Sequence, residues 1–152
     1  MDKDIQAKLE YVRQLSPEDF VRQSRLLDSE ILRRESLTAE ELQSLRRQSD
    51  ILLAGATDVQ VLALAEHDMR EYGLAENVEA SAMAIEALWD KRAAVVAGFD
   101  LPRVGSLTRE AALEMAREIK RNAEMHQELN KELQEHPRRL RGAPPEGNIN
   151  RA

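Results

Sequence analysis

Apolar residues return every three or four positions in every long segment of this chain, and in none do they alternate with period two. That pattern removes the half-buried strand and leaves helices. Ile5, Leu9, Val12 and Leu15 make a first stripe. Ser16–Pro17–Glu18–Asp19 then restarts the chain: Ser caps, Pro suits the first helical position, and acids suit the positive helix end. A second helix over about 17–34 presents Phe20, Ser24, Leu27 and Ile31, with Val21 and Leu32 beside them.

Two stretches look like a repeat. Residues 36–42 read SLTAEEL, and residues 106–113 read SLTREAAL. In the first, Thr38 as N-cap places Glu41 at N3 for a capping box and pairs Leu37 with Leu42 as a hydrophobic staple. The second keeps Leu107 and Thr108, but Ala111 replaces the acid and Ala112 the staple partner. Agreement fades beyond those residues, so both are helix starts and neither marks a duplicated domain.

A third helix spans about 39–54 with Leu42, Leu45, Ser49 and Leu52 on one side, and Gly55 ends it. A fourth runs from Thr57–Asp58 to just before Gly73 and is expected to bury Val61, Leu62, Ala65, Met69 and Tyr72. The fifth, about 76–97, carries Val78, Ala82, Ile85, Trp89, Ala93 and Val96, with Ala80, Met83, Ala87 and Leu88 around it. A helix apolar on most sides is central. The reading is an all-α bundle of about six helices: one domain over 1–136, then an extended Pro/Gly/Arg tail over 137–152.

From Thr108 to about Glu135 there is no Gly or Pro, which allows a rod of about 40 Å. Its seam steps 3-4-3-4 through Ala112, Met115, Ile119, Asn122, His126, Leu129, Leu133 and His136. A 3.5-residue period suggests coiled-coil-like packing, with Asn122 and His126 as polar positions that fix register or partner number. Met115, Ile119, Asn122, His126, Leu129 and Leu133 are therefore the candidate oligomer seam. The same stripe also suits an ordinary long helix packed on its own bundle.

The charge is uneven. Residues 55–100 hold 3 Lys/Arg against 9 Asp/Glu, whereas residues 137–152 hold 4 Arg against one Glu. Pro137 stops the last helix, and Pro144–Pro145 with Gly142 and Gly147 prevents another. Arg138, Arg139, Leu140 and Arg141 are the candidate partner-binding tail. They suit phosphates, an acidic protein surface, or the acidic middle of a neighbouring copy.

The absence of cysteine excludes disulfides, Cys-ligated zinc, iron–sulfur clusters and thiol catalysis. There is no phosphate-binding glycine loop, no nucleophile elbow, no HExxH and no Glu-x-x-His pair, so no enzyme activity, cofactor or metal is expected. His67, between Glu66 and Asp68, reads as a solvated residue, and His126 as a seam or edge residue. No apolar run is long enough to cross a membrane, and the N-terminal MDKDIQAKLE lacks a signal-peptide core, so a cytoplasmic protein is expected.

The expected function is a non-enzymatic helical assembly or adaptor protein that self-associates through its last helix and meets protein partners through its tail, as virion components do. An alternative is a DNA-binding accessory subunit, such as a small DNA-packaging protein, with Arg33–Arg34, Arg46–Arg47 and the tail arginines on phosphates. A third is a small helical regulator or chaperone.

Overall fold

The computed structural model describes residues 2–135, and among them it contains six α-helices and no strand. They are α1 (Lys3–Arg13), α2 (Pro17–Leu32), α3 (Ala39–Ala54), α4 (Asp58–Glu71), α5 (Val78–Gly98) and α6 (Arg109–Glu135), with a short 3-10 turn at Arg34–Ser36. The helix starts follow local chemistry. The Ser16 hydroxyl accepts from the Asp19 amide, with Pro17 opening α2. At α3 the Glu41 amide donates to the Thr38 hydroxyl at 3.0 Å while the Thr38 amide donates to the Glu41 carboxylate at 2.9 Å, a complete capping box. At α6 only the half-box remains: the Thr108 hydroxyl accepts from the Ala111 amide at 3.0 Å. The two SLT stretches are two helix caps.

Helix α5 is the hub. Its buried face is Ser81, Ala82, Ile85, Trp89, Arg92 and Val96. It meets Val61, Ala65 and Met69 of α4 and Ala112, Ala116, Ile119 and Ala123 of α6 in the main core. Two smaller clusters continue this core. One joins Leu9 of α1, Ile51 and Ala54 of α3 and Val96; the other joins Val12, Phe20, Leu52 and Leu64. Leu88 and Val95 touch more than one cluster, so α5 ties them together.

Three polar or backbone devices lock the helices. Gln60 is 2% exposed, and its side-chain amide donates to the carbonyls of Val12 and Leu15 while its oxygen accepts from the Thr57 amide. One side chain thus caps the end of α1 and the start of α4. Gly55 sits where α3 ends against α1, and a Cβ there would stand 2.9 Å from the Leu9 carbonyl oxygen. Arg92 is buried on α5, paired with Asp58 at 2.6 Å, and its guanidinium lies 5.0 Å from the centre of the Trp89 ring.

Several details depart from the sequence reading. Tyr72 is exposed, because α4 stops at Glu71 and Gly73, at φ 70°, turns the chain before the ring can fold inward. Leu32 and Met83 are exposed as well, and Ala87 lies on the solvent side, so α5 has a wet face. Helix α2 ends at Leu32, and the Arg34–Ser36 turn takes the place of its expected last residues.

Candidate interaction surface on the last helix

Residues 101–108 lead from α5 into α6, with Leu101 and Val104 packed on the cluster around Leu9 and Leu107 on the main core. They return the chain to the first half of α5, where Arg109 pairs with Glu86 at 3.0 Å and Glu79 at 3.7 Å. From there α6 crosses the body and runs on past it. Ala112, Ala116, Ile119 and Ala123 are its buried residues, small enough for α6 to lie close against α5. Asn122 donates to the Glu66 carboxylate of α4 at 3.1 Å. Gln127 reaches Glu76, just before α5, at 3.5 Å.

Beyond Gln127 no described residue of α6 is buried. The helix continues for eight residues, an overhang of about 12 Å. Met125, just before the overhang, and Leu129 and Leu133 on it follow at successive four-residue steps, 62%, 52% and 42% exposed. With 100° per residue, this stripe is rotated by about 110° from the Ala112–Ala123 face. It lies to one side of the face packed on α5, in the direction of Met115 and Asn122. The continuation of the buried face carries Gln127, Asn130 and Gln134, which have no apolar surface to bury.

The predicted seam therefore divides. Met115 and Ile119 belong to the chain's own core, and Asn122 is half-buried against α4. Only His126, Leu129 and Leu133 remain exposed. The first half of the run from Met115 to Leu133 is thus covered within one chain. Met125, which the heptad frame omits, joins Leu129 and Leu133 instead; its signal was the plain four-residue spacing to Leu129. His126 faces a shallow hollow with Arg70 of α4 and with Gly73, Ala75 and Glu76 from the turn between α4 and α5. The tail residues Arg138, Arg139, Leu140 and Arg141, and the seam residue His136, lie outside the described residues.

The other candidates scatter. His67 lies 3.5 Å from both Asp68 and Glu71, partly covered. Arg33 pairs with Glu30, and Arg47 stands over Phe99 at 5.4 Å from the ring centre. Among the described residues no group of three or more His, Cys, Asp or Glu side chains is placed to hold a metal ion, and no helix is long and apolar enough to cross a membrane. No protein-family model, curated protein or solved structure matches this chain.

Proposed function

We propose that this chain is a non-enzymatic assembly protein that self-associates through the far half of α6. The observation that supports this reading is the exposed stripe Met125–Leu129–Leu133, which runs out onto a helical overhang with no buried residue beyond Gln127. A helical end of this length is marginal in water without packing, and its apolar stripe gains most from a partner. A second copy suits it in antiparallel register about Leu129. Met125 then meets Leu133 of the partner subunit, and Glu132 lies toward His126 of the partner subunit. Parallel pairing would instead set Glu128 and Glu132 against their own copies.

The test is solution mass by size exclusion with light scattering. Wild type is expected above monomer mass, and Leu129→Asp with Leu133→Asp is expected to return it to monomer with unchanged helix content. A monomeric wild type, or an unchanged mass in the variant, defeats this reading.

A further inference from the structure

The start of α2 leaves an open groove against α4 of about 670 Å³, walled by Pro17, Val21 and Ala63 and rimmed by Glu18, Glu66 and Glu71. The rim is acidic: three carboxylates are answered by one guanidinium, Arg70, which is bound to Glu66 at 2.7 Å. Glu66 also accepts from Asn122, and Glu71 lies 3.5 Å from His67. Glu18 is exposed and has no partner among the described residues. An apolar trough between carboxylates fits an apolar side chain flanked by guanidinium groups.

The chain carries such a segment itself, beyond the end of α6: Arg138-Arg139-Leu140-Arg141. We propose that this segment of one copy docks in the α2–α4 groove of a second copy. Leu140 lies against Pro17, Val21 and Ala63, and the arginines meet Glu18 and Glu71. The inference rests on the reading of the chain as self-associating, but it uses a surface other than the α6 overhang.

A contact between two different patches in trans is heterologous, so it builds rings or open chains.

The experiment uses full-length protein bearing Arg138→Glu and Arg139→Glu, whose own tail no longer competes. It is titrated into a fluorescein-labelled peptide of residues 134–145 while anisotropy is followed. A saturable rise is expected, weakened at least tenfold by adding Glu18→Lys and Glu71→Lys, and partly by the milder Glu18→Gln and Glu71→Gln. The rise should also shrink as salt is added, because the rim charges are exposed. No saturable rise, or a rise that survives the groove reversal in protein of unchanged helix content, overturns the docking. Peptide binding does not need the α6 overhang, so Leu129→Asp with Leu133→Asp is expected to leave it intact. Failure of the docking therefore leaves the α6 reading to be decided by its own mass measurement.

Discussion

The side-chain amide of Gln60 donates to the carbonyl of Val12 at 2.8 Å, across 48 positions of sequence. A second bond runs to Leu15 at 2.9 Å, and the same side chain accepts from the Thr57 amide at 2.9 Å. The end of one helix and the start of another are thus satisfied by a single residue that water barely reaches.

Gln60→Ala should therefore cost about 2–3 kcal/mol, because it strips a buried carbonyl of its donor as well as removing half a capping box. Thr57→Ala, which touches only the cap, should cost about 1 kcal/mol. Urea denaturation followed by circular dichroism separates the two. Equal losses would mean that the bonds to α1 contribute nothing.

Gly55→Ala should cost about 1–3 kcal/mol, the usual range for overpacking. The new Cβ would lie 2.9 Å from the Leu9 carbonyl oxygen and 3.0 Å from the Val12 Cβ, both on a helix that cannot yield locally. Gly98→Ala is the control, since nothing lies within 4 Å of its added Cβ. Gly98→Ala should match or exceed wild-type stability, as it replaces a helical glycine. A wild-type melting point for Gly55→Ala would contradict the close approach of α1 and α3.

The Arg92–Asp58 pair is lopsided, with side-chain exposures of 3% and 75%. Removing only the carboxylate leaves a buried cation, and the Arg92 Nε already faces no acceptor among the described residues. Asp58→Asn should thus cost about 1–2 kcal/mol, discounted for the solvent that screens Asp58. Arg92→Met removes the charge and keeps the bulk, so it should stay within about 1 kcal/mol of wild type. The reverse order in denaturation midpoints would show that the ion pair, not the burial of a lone cation, governs this contact.

Hydrogen exchange should divide α6 along its length. At low concentration, amides from about 128 to 135 should exchange at least tenfold faster than those of 112–123, which are held in the core. Raising the protein concentration should slow the far segment alone. Uniform protection along α6 at dilution would contradict the overhang.

How much of this was legible in the sequence depended on whether each feature was local. The Thr38–Glu41 box spans four residues, so α3 could be bounded at Ala39–Ala54 from the sequence. The bonds of Gln60 to α1 and the burial of Arg92 are tertiary. A glutamine near a cap and one arginine on an apolar helix carry no mark of what they will meet. The far half of the seam is exposed for a tertiary reason. Leu133 lies eighteen residues, five whole turns, after Met115 and so points the same way. Met115 packs on the core, whereas no described residue of α6 beyond Gln127 is buried. Met125 fell outside the heptad frame but inside the observed stripe. The tail's basic character was plain from composition, whereas the α2–α4 groove was not, because Pro17, Val21 and Ala63 converge only when α2 lies on α4.

Trp89 is the chain's single tryptophan, 4% exposed, with the Arg92 guanidinium above its ring. The protein thereby carries one indole fluorophore, on the buried face of α5, and none on the far half of α6. Blue-shifted indole emission reports the integrity of the helical body and is blind to events on the overhang. A constant emission maximum alongside a changing hydrodynamic radius is then the optical signature of assembly without unfolding.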